Sequence, residues 1–229
     1  MNTVRSRALR VLFTALVPVA LLAPAAAFAS PPVAENGAVQ GAAVKVTANV
    51  TRVLVSARGE TDGIVLSNGA VVRMPARAFN TGAAALKPGE ALTIEGEKLS
   101  TKSGDVIHKA LVQKAGVTVA DGRALVKGQK REHTKVKLAE VTATGQVASL
   151  VATPRGKVDK LVLTDGTQVS VRGREDLASL VKVGDKVTVA GKGGTYTAGK
   201  SMFAKTITLP SGEVKTFSHG RHKAKDTTT

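Results

Sequence analysis

The chain of 229 residues sets 33 Lys and Arg against 17 Asp and Glu, a formal surplus of +16, with one tyrosine, no tryptophan and no cysteine. Without cysteine there is neither a disulfide nor a lipid-modified cysteine, so the folded part must rest on its apolar cores. The charge suits weak attraction to polyanions, and equally a basic surface that simply keeps an exported chain soluble.

In chain order, Arg5, Arg7 and Arg10 precede an apolar run, Val11 to Ala27, that ends in the small-residue site Ala27-Phe28-Ala29. This pattern predicts a signal peptide over residues 1–29. A retained membrane anchor is the competing reading, but the run is short and is interrupted by Pro18 and Pro24. Taking the leader's three arginines from the surplus of +16 leaves +13. Residues 30–43 read as a flexible N-terminal segment.

Beyond it one module is written twice. Val53 to Gly59 and Ile64 to Val72 return 97 positions later as Leu150 to Gly156 and Leu161 to Val169. The second half of the unit, Leu86 to Gly96, returns at an offset of 95 as Val181 to Gly191. Such a duplication fixes the architecture before any other argument. Each unit opens on a long alternating strand whose phase slips once: Val44, Val46, Ala48 and Val50 share a face, then Val53 and Val55; Val141, Ala143, Gly145 and Val147 are followed by Leu150 and Ala152. A one-residue slip is the mark of a β-bulge that bends a strand between two sides of a closed sheet. Strands two and three follow, around Ser67-Asn68-Gly69 and Thr164-Asp165-Gly166. Asn-Gly and Asp-Gly accept the positive φ of a tight hairpin. A short helix is expected next, at Leu177, Leu180 and Val181 with Gly184 stopping it, and more weakly at Ala76 to Leu86. Ala91 to Lys98 with Val106 to Val112, and Lys186 to Gly191 with Met202 to Thr208, complete the units. The order β-β-β-α-β-β with a long bent first strand predicts two five-stranded OB-like barrels, at 44–113 and 139–212, in a mainly β protein.

Residues 114–138 and 213–229 read as a basic linker and a basic disordered tail, because Lys127 to Lys137 and the final residues are rich in charge; by count they hold +5 and +2 of the surplus. Pro154-Arg-Gly156, Asp165-Gly166 and Val183-Gly-Asp-Lys-Val-Thr-Val-Ala-Gly191 resemble the small OB-like domains, often in tandem, of exported bacterial proteins of unknown function. The first copy departs by lacking the turn proline and by carrying Pro88-Gly-Glu90. The resemblance implies a fold and an exported setting, periplasmic or secreted, and no activity.

Gly194 to Ser201 matches the phosphate-loop pattern G-x-x-x-x-G-K-S, yet a strand is expected after it where that chemistry needs a helix. The segment is read as the loop joining strands four and five. OB barrels bind along strands two and three and under the loops joining strands one to two and four to five. Those positions hold Arg155, Lys157, Lys160, Arg172, Arg174, Lys192, Tyr196 and Lys200 in the second copy, and Arg58, Arg73 and Lys102 in the first, the latter diluted by Glu60, Asp62 and Asp105. No catalytic set, metal site or cofactor site is expected, since the four histidines stand apart from Asp or Glu clusters and only His219 and His222 have a ligand-like spacing. The expectation is a non-enzymatic exported binding or scaffold protein for an anionic polymer such as nucleic acid, lipopolysaccharide or acidic polysaccharide. A module that holds an envelope protein partner is the alternative; an enzyme ranks third. Oligomeric state is left open.

Overall fold

A computed structural model describes residues 41–79, 86–123, 136–173 and 175–217. The expected signal peptide, most of the flexible N-terminal segment, much of the basic linker and the last twelve residues lie outside the described residues. Twelve strands form two separate sheets of six, one per repeat.

The first sheet contains β1 (Ala42–Val55), β2 (Thr61–Leu66), β3 (Val71–Arg73), β4 (Ala91–Thr101), β5 (Gly104–Lys114) and β6 (Val117–Asp121). The N-terminal half of β1 pairs with β4, from Ala42 on Lys98 to Asn49 on Ala91, and its C-terminal half pairs with β2, from Val50 on Leu66 to Val55 on Thr61. The hand-over coincides with a register shift between Val50 and Arg52, where the hydrophobic phase slips in the sequence. β3 runs parallel to β5, Val71 beside Val106 and Val72 beside Ile107, and closes a five-stranded barrel in the order β1-β2-β3-β5-β4. All other pairings are antiparallel, so the barrel is mixed. The closure order is that of an OB-like barrel.

The second sheet repeats the plan with β7 (Ala139–Ala152), β8 (Val158–Leu163), β9 (Gln168–Ser170), β10 (Lys186–Tyr196), β11 (Gly199–Thr208) and β12 (Val214–Thr216). β7 shifts register between Val147 and Ser149, and β9 runs parallel to β11. The β2–β3 and β8–β9 hairpins turn on Gly69 and Gly166, at φ +83° and +86°, values an L side chain rarely adopts. Each barrel is filled by its own apolar set. Val50, Ile64, Leu66, Val72, Leu92, Ile94, Ile107 and Val112 fill the first, and Val147, Leu161, Leu163, Val169, Leu177, Val187, Val189, Met202 and Ile207 the second.

Two expectations are corrected. The helices are single 3-10 turns, Ala76–Phe79 and Leu177–Ser179. The second is started by Asp176, whose carboxylate accepts from the Ala178 N–H, and only Leu177 is buried. So short a segment cannot repay helix nucleation and serves as a plug. The sixth strands fall where a linker and a tail were expected. β6 is joined to β5 by the two-residue turn Ala115-Gly116, with φ +48° and +79°, and pairs Leu111 with Asp121. β12 pairs with β11 and delivers Phe217, 5% exposed, to the second core.

Candidate binding cleft between the two barrels

The barrels meet through the faces that OB-like barrels use for ligands. Leu54, Val151 and Val162 form a small apolar cluster of their own, flanked by Val65 and Val71. Leu54 and Val151 are repeat equivalents, as are Val65 and Val162, so the contact is an isologous one made within a single chain. Val106 of β5 likewise packs into the second barrel's core.

Polar groups surround this cluster. Beyond Asn49, β4 no longer covers the edge of β1, and side chains of the second barrel satisfy its backbone. Gln168 accepts from the Val55 N–H at 2.8 Å and donates to the Val53 carbonyl at 2.9 Å. The Val55 carbonyl accepts from Lys160 at 2.8 Å and from the Ser201 hydroxyl at 3.1 Å. Lys160, 1% exposed, also donates to both oxygens of Asp62, at 2.7 and 2.9 Å. Arg73 bridges Asp62 at 3.5 Å and Asp159 at 3.2 Å, so two carboxylates and two cations share one site. Burial pushes the Lys160 ammonium below its ordinary value, while Asp62 pulls it back. Burial raises the Asp159 carboxyl, against the pull of Arg73.

Three residues expected to face a ligand therefore fasten the barrels together: Lys160, Arg73 and Tyr196. Tyr196, at the tip of the β10–β11 hairpin, lays its ring against Gly59 in the β1–β2 turn and donates to the Ala57 carbonyl at 2.6 Å. Arg58 sits on that same turn. Partial desolvation of Arg172 and then the charge of Arg58 hold the Arg172 guanidinium below its ordinary value. Arg172 stacks 3.9 Å above the half-buried Phe203 ring. Lys192 lies 3.5 Å from Glu140, and Lys200 donates to the Thr142 carbonyl at 3.3 Å, near the start of β7. Arg174 lies outside the described residues. The G-x-x-x-x-G-K-S string is a β-hairpin, with Thr195 opposite Lys200 and Tyr196 opposite Gly199, and no helix follows it.

Arg155 and Lys157 come together with a residue of the other barrel. The β7–β8 turn, Pro154 to Lys157, faces the tip of the β4–β5 hairpin, Ser100 to Lys102, across a cleft of about 430 Å³ backed by Leu99 and Asp176. Among the described residues, Lys102, Arg155 and Lys157 form no ion pair within 4 Å, although the charge of Lys157 is felt by Asp159. Lys157 donates to the Gly173 carbonyl at 2.5 Å, and Asp176 is occupied by the Val158 and Ala178 N–H groups, each at 3.0 Å. A wider depression of about 690 Å³ lies on the first barrel, but its cations are paired: Lys45 with Glu95 at 2.8 Å, Lys109 with Glu97 at 2.9 Å, and Arg123 with Asp121 at 3.8 Å. Among the described residues no group of three or more His, Asp or Glu is placed to hold a metal ion.

Sequence reasoning treated each copy alone and so missed Gln168, Ser201 and Asp159. A signal existed, since the repeat equivalents of Lys160, Gln168 and Ser201 are Gly63, Val71 and Val106. Neither protein-family models nor curated proteins give a match to this chain.

Proposed function

We propose that the chain is a non-enzymatic, exported bacterial binding protein of tandem OB-like domains that engages an anionic polymer by charge. The leader pattern supports export. One observation carries the binding reading: Lys102 from one barrel and Arg155 and Lys157 from the other line one cleft and, among the described residues, form no ion pair within 4 Å, whereas Lys45, Lys109, Lys114, Lys160 and Lys205 are all paired with Asp or Glu. Cations so placed release condensed counterions when they meet a polyanion, with little demand on the polymer's shape.

The test is a salt titration of binding to oligodeoxythymidylate, lipopolysaccharide and an acidic polysaccharide. Affinity falls as salt rises. In the variant Lys102→Gln/Arg155→Gln/Lys157→Gln, the log–log slope for the oligonucleotide shrinks by about 2, at roughly 0.7 per lost phosphate contact. A flat salt profile, or a variant that binds as the parent does, rules the reading out. The second reading, a module that holds an envelope protein, is favoured by the shape of the same cleft.

A further inference from the structure

Building on the polymer reading above, we propose that the polymer is a single-stranded nucleic acid, one of whose unpaired bases stacks on the guanidinium plane of Arg172 beside the cleft. Arg172 lies 3.9 Å over the Phe203 ring. It is exposed and, among the described residues, forms no ion pair within 4 Å. Arg73 is placed otherwise: it is 12% exposed and tied to Asp62 and Asp159.

The topology puts the stack next to the cleft. β9 ends at Ser170, which lies beside Phe203 of β11 in parallel register, and two residues on Arg172 folds back over the ring. Across the ladder Phe203 faces Lys192, which Glu140 engages at 3.5 Å, so the ring sits among settled neighbours. Lys157 of the cleft donates to the carbonyl of Gly173, the residue after Arg172, and that bond joins the cleft's cations to the stack. A Cβ on Gly173 would meet nothing within 4 Å, so the space beside Arg172 is open. The charge of Arg58, on the turn that Tyr196 latches, also reaches Arg172. Like charges brought together in this way are relieved by an anion, and the phosphate attached to a stacked base supplies one.

A flat cationic plane separates the classes of polyanion. Bases of a single strand stack on aromatic rings and on guanidinium planes, and one such contact is worth about fivefold in affinity at the lower end of its range. A duplex hides those faces within its own stack. An acidic polysaccharide or a lipopolysaccharide brings charge without a π-face; a sugar packs its C–H groups on an aromatic ring, and Arg172 covers that face of Phe203. Because the ring already holds the guanidinium flat, little rotamer freedom is lost when a base arrives. The stack is a property of the second copy, since the repeat equivalents of Arg172 and Phe203 are Pro75 and His108.

Oligodeoxythymidylate and an abasic oligonucleotide of the same length and charge, each titrated calorimetrically into the full chain at one salt concentration, test the stack. The parent binds the base-bearing strand about fivefold tighter or more. Arg172→Lys keeps the charge, removes the plane and brings the ratio of the two affinities close to one. Phe203→Leu lowers the ratio as well, since the guanidinium then has no ring to lie on. Arg172 is exposed, so the lysine variant keeps the parent's cooperative thermal transition and carries the test even where the half-buried Phe203 position tolerates change poorly. A parent ratio near one, or a ratio that survives Arg172→Lys, overturns the proposal. So does heparin that competes with oligodeoxythymidylate charge for charge and loses affinity in Arg172→Lys, because the plane then serves a polysaccharide. The two readings fail apart: a flat salt profile for both strands ends the polymer reading and this one with it, whereas steep salt dependence with a ratio near one ends this one alone.

Discussion

Replacing Asp62 by alanine tests whether the barrels are held together as described. The carboxylate receives two hydrogen bonds from an ammonium that is 1% exposed and lies within 3.5 Å of Arg73. Its removal leaves Lys160 with the Val55 carbonyl as its hydrogen-bond acceptor and the more distant charge of Asp159, beside a guanidinium. Breaking a buried ion pair from one side costs about 3–5 kcal/mol. Two features bring the figure to the lower end: the Asp62 side chain is 21% exposed, and its loss relieves repulsion on Asp159, whose carboxyl it helps to raise. The expected cost is about 3 kcal/mol, or roughly 6–12 °C in Tm for a cooperative unit of this size. Differential scanning calorimetry reads it. The parent gives one transition, because the interface couples the barrels. Adding Lys160→Met removes the stranded cation, while Ser201 still satisfies Val55 and Arg73 keeps Asp159, so the double variant regains more than half of the loss. A shift under about 2 °C for Asp62→Ala, or no recovery in the double variant, would refute the buried network.

The two turn glycines give a paired prediction. Gly156→Ala meets only the strain of φ +78°, about 1–2 kcal/mol, whereas Gly59→Ala at φ +83° also collides with Tyr196 and costs about 1–3 kcal/mol more; urea denaturation of both compares them, and equal losses would contradict the packing of Tyr196. His108 predicts a pH window. Burial depresses its imidazole below the ordinary 6.5, outweighing Glu97 at 3.4 Å, and Lys109 depresses it further. The unfolded chain then binds the proton more readily, so stability is full above about pH 6.5 and falls as the pH drops through the folded value. His108→Gln abolishes that step in melts collected as a function of pH, and persistence of the step in the variant would assign it to another group.

The barrels were legible because their signals are local. The phase slip at Val50 and Val53 marks the bulge, and Asn68-Gly69 and Asp165-Gly166 mark the hairpins. β6 and β12 were hidden by the charge that follows them: Val117 to Ala120 alternates acceptably, but the lysines beyond it spoke for a connector, and Phe217 lies in a basic stretch. The helices were overread, since Leu177, Leu180 and Val181 satisfy a helical spacing over too few residues to sustain one. The site was legible only in part. Arg155 and Lys157 belong to a cleft whose third cation is Lys102 of the other copy, and a pattern read within one repeat carries no information about which face of the other it will meet. Positions where the copies differ in polarity, Gly63 against Lys160, Val71 against Gln168 and Val106 against Ser201, mark that meeting surface better than any basic stripe.

Joining the two halves in one polypeptide frees them from having to match. In a homodimer every substitution is printed at both ends of the dyad, so a tyrosine that shuts one mouth shuts the other and a lysine that charges one charges both. Here each position is encoded once. Tyr196 serves as a latch at one end, while the opposite end carries Thr101 and Leu99 in place of Tyr196 and Gly194, so the two mouths of one chain are built differently.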